Sequence, residues 1–311
     1  MRRGLRRGVG DRATDGRALL ARGVRKALGG PWLRAFDPLM LALSVAAARA
    51  GGPARERMER WYRHDAQPLL FGHRGASARA PENTLGAFAA AYADGGDGVE
   101  LDVQLSADAV PVVLHDDTLD RTSDLRGSPI RHDARELDEA DAGSWFTGWR
   151  REKVPRLAEV LAATPSGAVV NVELKGPTPR VLGLERRVVE VLRAFPGVEV
   201  LISSFHPAQL LEVRALAPSL PLALLWHEHS LLPLRTGWAA PFVRPEALHP
   251  QSSLVDAELV AAAHRAGMRV HVWGVRDDAD AERLLTLGVD GLIVDDVRAT
   301  RRLLDRHGDR R

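Results

Sequence analysis

The chain of 311 residues contains no cysteine and no long hydrophobic run. Without cysteine, disulfides, thiolate nucleophiles and cysteine-ligated zinc are excluded, and the sequence carries no sign of the redox state of its compartment. The apolar run at residues 38–48 has 11 residues, whereas a membrane-spanning helix needs about 20. A Walker loop and a Gly-x-Gly-x-x-Gly fingerprint are also missing, so nucleotide cofactors are not indicated.

The net charge of +2 conceals two regions of opposite charge. Residues 1–66 carry 15 Lys and Arg against 6 Asp and Glu, a charge of +9, and the remaining residues carry 28 against 35, a charge of −7. A basic segment can bind nucleic acid or an anionic membrane. The basic residues here are scattered among Gly and Ala without interleaved aromatics. We therefore expect a partly helical or disordered extension, no nucleic-acid partner and at most weak contact with a membrane surface.

The apolar run at residues 38–48 has two interpretations. The one we favour is a short helix that packs on the outside of the main domain. A signal peptide would place its cleavage site at about residues 46–51, but the 37 residues before the run exceed an ordinary charged n-region. We expect a cytoplasmic protein, with a secreted or membrane-peripheral location as the alternatives.

From residue 67 onward, short apolar strands alternate with helical patterns, which is typical of a parallel sheet with crossover helices. The predicted strands lie at residues 68–72, 98–103, 168–174, 198–203, 221–225, 247–249, 269–273 and 291–294. The predicted helices lie at residues 84–94, 157–163, 180–195, 207–217, 256–266, 278–287 and 297–306. Eight parallel strands with intervening helices predict an α/β fold of the TIM (β/α)8 barrel type, which usually takes about 250 residues.

The chain is therefore divided into a basic N-terminal extension at residues 1–66 and a barrel domain at residues 67–311. Because every strand and every candidate catalytic residue lies in the second part, we expect loss of the extension to leave catalysis nearly unchanged. Within the barrel domain, residues 226–245 are polar and then rich in proline, which predicts a loop in place of a regular helix.

A second irregular connection, the insertion at about residues 103–155, follows the second strand. It begins as a tight hairpin, too short for a parallel crossover, that turns at about Ala107 and returns His115 roughly opposite Glu100. The remainder contains three aromatic residues, Trp145, Phe146 and Trp149. Long connections in compact domains are usually functional or disordered, so this part predicts a lid or a small inserted subdomain.

Three carboxylates are predicted to converge at the C-terminal ends of the strands, where barrel active sites lie. Glu100 and Asp102 are two residues apart on one strand and therefore face the same side, and Glu173 ends another strand. Converging carboxylates repel one another unless a cation lies among them, and oxygen ligands favour Mg²⁺ or Ca²⁺ over zinc. The alternative is that these carboxylates cap loops or form surface ion pairs.

Two histidines and two cationic residues approach the same centre. His73 follows the first strand and His115 returns through the hairpin, and an imidazole can act as a general acid or a general base. Which histidine takes which role stays open. Arg74 offers a guanidinium fork for a phosphate group, and Lys175, beside Glu173, offers a point charge. For each cation the alternative is an ion pair with a barrel carboxylate.

These residues lie in short motifs whose order resembles the glycerophosphodiester phosphodiesterase family over about residues 69–296. The motifs are Gly72-His73-Arg74-Gly75, Pro81-Glu82-Asn83-Thr84, Glu100-Leu101-Asp102, His115-Asp116 and Glu173-Leu174-Lys175. The resemblance implies a divalent metal cation, Mg²⁺ or Ca²⁺, with three ligands: Glu100, Asp102 and Glu173. It implies a catalytic pair, His73 and His115.

The resemblance extends less firmly to the substrate pocket. It implies that Glu82 lies near the metal or the substrate glycerol, while Asn83 can cap the helix that follows. Phe205 and Trp273 end later strands and are expected either to line the pocket around the glycerol or to pack in the barrel. Two nearby positions depart from the family, where Thr and Asn are common: Gly274 and Arg276.

The function implied by the resemblance is metal-dependent hydrolysis of a glycerophosphodiester to sn-glycerol 3-phosphate and an alcohol. One alternative is a phospholipase or lyase that acts on intact lipids, because the aromatic residues of the insertion would provide an apolar mouth. A second alternative is a non-catalytic binding barrel. That alternative predicts loss of a catalytic histidine or carboxylate, and none is lost here.

Overall fold

The computed structural model describes residues 52–62, 67–176, 183–235 and 237–308. Eight parallel strands close into a barrel in the order β1-β9-β8-β7-β6-β5-β4-β2, and β3 pairs antiparallel with the end of β2. The strands are β1 (Leu69–His73), β2 (Gly98–Leu105), β3 (Pro111–Val113), β4 (Val169–Leu174), β5 (Glu199–Ser204), β6 (Leu222–Trp226), β7 (Ala247–Pro250), β8 (Arg269–Val272) and β9 (Gly291–Val294). The predicted TIM barrel is confirmed.

Helices connect the strands on the outside of the barrel. The α-helices of the described residues are α1 (Pro53–Glu59), α2 (Leu85–Ala93), α3 (Ala134–Glu139), α4 (Leu157–Ala163), α5 (Leu184–Arg193), α6 (Pro207–Leu216), α7 (Leu232–Arg235), α8 (Ala240–Val243), α9 (Ala257–Arg265), α10 (Asp278–Leu287) and α11 (Val297–Gly308). The helices α4 and α10 have the predicted bounds. The start of the helix predicted at residues 180–195 lies outside the described residues. None of these helices is long and apolar enough to cross a bilayer.

Strand β2 shows how the barrel interior changes from packed to polar along its length. Every residue of β2 is buried, as expected for a parallel strand with helices outside and a filled barrel inside. Gly98 pairs with Phe71, and a Cβ on Gly98 would lie 2.8 Å from the Phe71 ring. Glycine at this position therefore leaves room for the ring. One step higher on the same inner face, Glu100 pairs with His73, which begins the polar end of the barrel.

The insertion begins with the predicted hairpin. Strand β3 pairs Val113 with Val103, and the Leu114 amide donates to the Asp102 carbonyl at 2.9 Å. The hairpin thus returns His115 to the acidic end of β2, as the sequence predicts. The insertion also has a small hydrophobic core, formed by Val112, Leu114, Leu119, Leu137, Ala140, Ala142 and Val154.

The segment at residues 226–245 differs from the predicted loop because it contains two four-residue helices, α7 and α8. Helix α8 buries Ala240 and Val243 and ends at Arg244, whose φ of 52° is left-handed. Helices this short show no hydrophobic periodicity that sequence reading can detect.

Helix α1 and the 3₁₀ turn Arg60–Tyr62 close the N-terminal end of the barrel. Met58 is 1% exposed and packs against three inward-facing residues of the barrel: Leu201, Ala223 and Ala247. Trp61 and Tyr62 contact that group and also the layer around Phe71 and Ile293. The barrel bottom is therefore sealed by side chains that precede the first strand.

Polar contacts hold this closure in place. Arg57 donates to Glu199 at 2.6 Å, and Arg269 pairs with Glu59 and lies 4.3 Å from the centre of the Tyr62 ring. The Tyr62 hydroxyl also hydrogen-bonds His271 inside the barrel. These contacts join α1 to both β5 and β8.

The division of the chain at residue 66 stays a prediction, and the apolar run at residues 38–48 lies outside the described residues. Residues 52–62, however, pack against the barrel core. Loss of the whole extension would therefore expose the lower barrel layer, so we now expect that deletion to destabilise the domain.

We predict that Met58→Ala lowers the free energy of unfolding by about 2–5 kcal/mol, because truncation of a buried methionine removes apolar contacts and leaves a cavity. Chemical denaturation of the full chain measures this change. Glu56→Gln, at an exposed position of the same helix, is the matched control and should change the stability by less than about 0.5 kcal/mol. Equal stability of the Met58 variant and the unsubstituted chain would show that α1 does not support the barrel.

Candidate active site

A pocket opens to solvent at the C-terminal ends of the barrel strands. Its lining residues are His73, Arg74, Glu100, His115, Asn171, Glu173, Lys175, Phe205, Leu225, Trp273 and Ile293. Eight of the ten residues predicted for the site are among them. The other two are Asp102, which belongs to the carboxylate cluster described next, and Glu82, which contacts Arg74.

Glu100, Asp102 and Glu173 form a buried carboxylate cluster. One oxygen from each lies within 4.8 Å of the others, and the residues are 3%, 1% and 6% exposed. The strand register brings these carboxylates together, because Asp102 of β2 pairs directly with Glu173 of β4 and both face the barrel interior. The three carboxylates converge as the sequence predicts, and they are not exposed ion-pair residues of the surface.

Burial separates the proton affinities of the three carboxylates. Burial, followed by the charge of Asp102, raises the pKa of Glu100 to about 8. Burial alone would raise the pKa of Asp102 too, but the charges of Lys175 and Arg74 hold that pKa well below its usual range. Burial also raises the pKa of Glu173, although Lys175 opposes the shift. Full ionisation of all three carboxylates would place three negative charges beside two cations, Arg74 and Lys175.

A strained turn after β1 places Arg74 against this cluster. The backbone of Arg74 is left-handed, with φ of 55°, a conformation uncommon for residues other than glycine. Its amide donates to Glu100 at 3.0 Å. Its guanidinium donates to Glu82 at 2.8 Å and lies 3.4 Å from Asp102. In this strained conformation Arg74 contacts two carboxylates of the cluster, Glu100 and Asp102.

Asn83 has a different role from the helix cap that the sequence predicts. The N-cap of α2 is Thr84, which accepts the Ala87 amide at 3.2 Å. Asn83 instead adopts a left-handed φ of 57° and donates its side-chain amide to Asp102 at 2.8 Å. Asparagine tolerates this backbone region better than most residues. The turn before α2 therefore orients a carboxylate of the neighbouring strand.

Lys175 bridges two carboxylates of the cluster. Its ammonium lies 3.1 Å from Asp102 and 2.5 Å from Glu173. Burial alone would lower the pKa of Lys175, but Asp102 and Glu173 together raise it above its ordinary value. Lys175 and Arg74 both form the ion pairs expected from the alternative interpretation, yet both also line the pocket. Binding of a substrate phosphate by these two residues stays a prediction.

Each of the two histidines is oriented by a carboxylate at Nδ1. His73 donates to Asp295 and His115 donates to Asp116, both at 2.7 Å. Asp295 immediately follows β9, and β9 pairs with β1, so the barrel register brings it to His73. The His115 segment is fixed by Gln104, which donates to the Asp116 carbonyl at 2.6 Å.

The environments shift the proton affinities of the two rings in opposite directions. Burial alone would lower the pKa of His73, but the hydrogen bond to Asp295 and the charge of Glu100 raise it above its ordinary value. Burial lowers the pKa of His115, and Lys175 adds to this shift although Asp102 opposes it. Two imidazoles of different basicity therefore line one pocket.

Glu82 links the barrel to the insertion through Arg121. Arg121 donates to both oxygens of Glu82, at 2.7 and 2.8 Å, and to both oxygens of Asp116, at 2.6 and 2.9 Å. Glu82 therefore contacts two arginines, Arg74 and Arg121. Arg121 is not among the residues predicted from the sequence, because its spacing of five residues from Asp116 gives no periodic signal.

The pocket combines apolar walls with a polar floor. Phe205 and Trp273 both line it, with ring centres 5.8 Å apart and nearly perpendicular planes. Leu225 and Ile293 complete the apolar part. Asn171 is 1% exposed, and neither atom of its side-chain amide has a hydrogen-bond partner among the described residues. Asn171 is not among the residues predicted from the sequence, although its position two residues before Glu173 on β4 predicts the same inward direction.

Comparisons of the sequence identify the family to which the chain is similar. The model of the glycerophosphoryl diester phosphodiesterase family matches residues 73–299. A glycerophosphodiester phosphodiesterase of Caldanaerobacter subterraneus subsp. tengcongensis is 36% identical over 233 residues, which cover 73% of this chain and 94% of that protein. A glycerophosphodiester phosphodiesterase of Bacillus altitudinis is 34% identical over 236 residues, with 73% and 94% coverage.

Solved structures match the same part of the chain. An Oleispira antarctica phosphodiesterase in complex with the product sn-glycerol-3-phosphate has a TM-score of 0.69 and 31% identity, and the match covers 77% of this chain and 97% of that one. A glycerophosphodiester phosphodiesterase of Thermotoga maritima has a TM-score of 0.61 and 28% identity, with 77% and 100% coverage. Since the family model spans most of the barrel and the relatives align over nearly their whole length, the chain belongs to the glycerophosphoryl diester phosphodiesterase family and is a phosphodiesterase.

Proposed function

We propose that the chain hydrolyses glycerophosphodiesters to sn-glycerol 3-phosphate and an alcohol with a bound divalent cation. The observation that carries the proposal is the meeting, in one pocket, of a buried carboxylate cluster and two histidines whose Nδ1 atoms are each fixed by a carboxylate. The complex of the Oleispira antarctica relative with sn-glycerol-3-phosphate supports the identity of the product.

The residues present fit a hard divalent cation. Glu100, Asp102 and Glu173 offer oxygen atoms within 4.8 Å of one another, and an all-oxygen donor set is what Mg²⁺ and Ca²⁺ prefer. Burial is the main cause of the raised pKa of Glu100 and of Glu173, and the charge of Asp102 adds to both shifts. A bound cation would stabilise the ionised carboxylates. When bound, such an ion supplies charge for the phosphate oxygens and lowers the pKa of a bound water.

Arg74 and Lys175 are the residues that we assign to the substrate phosphate. Both line the pocket, and the side chain of each is 18% exposed. A guanidinium fork can bind both non-bridging oxygens of a phosphodiester at once, and an ammonium adds a point charge beside them. In-line displacement needs this neutralisation of the oxygens together with a fixed orientation of the phosphorus.

His73 and His115 share the proton transfers. Because each Nδ1–H donates to a carboxylate, Nε2 is the ring nitrogen left to exchange a proton with the reactants. One histidine takes a proton from the attacking water and the other gives a proton to the leaving alkoxide. Asp295 and Asp116 hold the tautomer and stabilise each ring when it is protonated.

The pocket favours an unacylated glycerol over an intact lipid. Its apolar wall is limited to four side chains, Phe205, Leu225, Trp273 and Ile293. The aromatic residues of the insertion do not line it: Trp145 packs edge-on against Phe146 with ring centres 5.7 Å apart, and Phe146 packs likewise against Trp149. The alternative activity, that of a phospholipase or lyase on intact lipids, would need these rings at the mouth of the pocket.

We predict that the purified chain releases sn-glycerol 3-phosphate from glycerophosphodiesters and that removal of divalent cations abolishes the release. A coupled assay across a panel of head groups, with and without chelator, measures both. Restoring Mg²⁺ or Ca²⁺ to the stripped protein is the control, and it should recover turnover. Full turnover after verified metal removal would contradict the proposal, as would faster cleavage of intact phospholipids than of their deacylated forms.

We predict that His73→Ala and His115→Ala each lower kcat by at least about 10²-fold, the lower end of what a positioned acid or base contributes. Steady-state kinetics on the best substrate of the panel measures the loss, and circular dichroism establishes that each variant is folded. His229→Ala, at an exposed ring outside the pocket, is the control and should keep kcat. Near-native turnover of either active-site variant would rule out the two-histidine mechanism.

We predict that binding of a divalent cation to the metal-free chain releases a proton. With its pKa raised to about 8, Glu100 is protonated at about pH 6.5, so a cation must displace about one proton there and fewer at about pH 9. Apparent affinity should therefore rise as pH approaches 8. Calorimetry in buffers of different ionisation enthalpy counts the protons, and Glu100→Gln should release fewer. Affinity that is independent of pH would contradict this prediction.

A further inference from the structure

The contacts of Arg121 reach two parts of the active site that belong to different segments of the chain. One side of its guanidinium binds Asp116, which holds His115 at Nδ1, and the other side binds Glu82, which holds Arg74. All four guanidinium contacts lie between 2.6 and 2.9 Å. Such a double bidentate arrangement fixes geometry more strongly than single ion pairs do.

We propose that Arg121 is a positioning residue that holds His115 in its catalytic orientation through Asp116. The inference rests on the proposed function, because it assigns a means by which the insertion orients a histidine of that same site. Arg121 does not line the pocket, so it acts on the reaction through another residue.

Removal of Arg121 would affect Arg74 and Asp116 differently, because the two residues keep different numbers of other contacts. Arg74 keeps its contacts with Glu82 and with Asp102, and its amide still donates to Glu100. The Asp116 carboxylate keeps only His115 as a hydrogen-bond partner among the described side chains. Loss of Arg121 therefore frees the Asp116 carboxylate, which orients His115. Arg74, which we assign to the substrate phosphate, stays in place.

The kinetic consequence is a fall in kcat that exceeds any rise in KM. We expect Arg121→Gln to lower kcat by at least about tenfold, because small misplacement of a catalytic group is costly. Arg121→Lys should lose nearly as much, since one ammonium cannot replace a fork that binds two carboxylates. Arg126→Gln is the matched control: Arg126 lies in the same insertion, is 69% exposed and contacts neither Asp116 nor Glu82.

A double-mutant cycle with His115→Ala distinguishes positioning from a general structural effect. If Arg121 acts through His115, Arg121→Gln should lower the residual kcat of the His115→Ala protein by less than about threefold, because coupled residues are not additive. An equal fold loss in both backgrounds would overturn the proposal. So would an Arg121→Lys protein with the kcat of the unsubstituted chain.

A readout without substrate separates this inference from the proposed function. The ¹⁵N NMR signals of the His115 ring, assigned by their absence in His115→Ala, report which nitrogen carries the proton. We expect a single Nδ1–H tautomer in the unsubstituted chain and in Arg126→Gln, and a mixture in Arg121→Gln. An unchanged tautomer in Arg121→Gln would refute the positioning role. A chain inactive on every glycerophosphodiester would refute the proposed function alone.

Discussion

The burial of three carboxylates at the ends of two neighbouring strands is the constraint on which the rest of the site depends. Glu100, Asp102 and Glu173 lie within reach of one ion, and their mutual repulsion is unfavourable without positive charge close by. Arg74, Lys175 and the Asn83 amide each contact Asp102. The strained turn after β1 and the turn before α2 both bring their side chains to this charge.

The two histidines of the site are oriented in the same way, by a carboxylate, but different structural elements supply that carboxylate. Asp295 orients His73 because two barrel strands are paired. Asp116 orients His115 within the insertion, and that segment is held by Gln104 of β2 and by Arg121 of the insertion itself. The insertion therefore contributes to the active site directly, and its own small hydrophobic core gives it the rigidity to do so.

The two ends of the barrel have opposite character. At the N-terminal end, Met58 and the rings of Trp61 and Tyr62 fill the interior, so apolar burial stabilises the closed sheet. At the C-terminal end the inward positions carry charged and polar groups, and a pocket opens to solvent. Concentrating apolar packing at one end allows the other end to hold unfavourable charge without loss of the fold.

The sequence by itself determined the order of the eight barrel strands and of the seven helices that it predicts, because period-two strands and 3.6-residue helices leave local signals. It also identified eight residues that line the pocket. It did not reveal that Asn83 contacts Asp102 while Thr84 caps α2, since both residue types can cap a helix. It also missed Arg121 and the packing of Met58 under the barrel. Only the tertiary structure decided these roles, because each depends on a contact between segments distant in sequence, which no local pattern encodes.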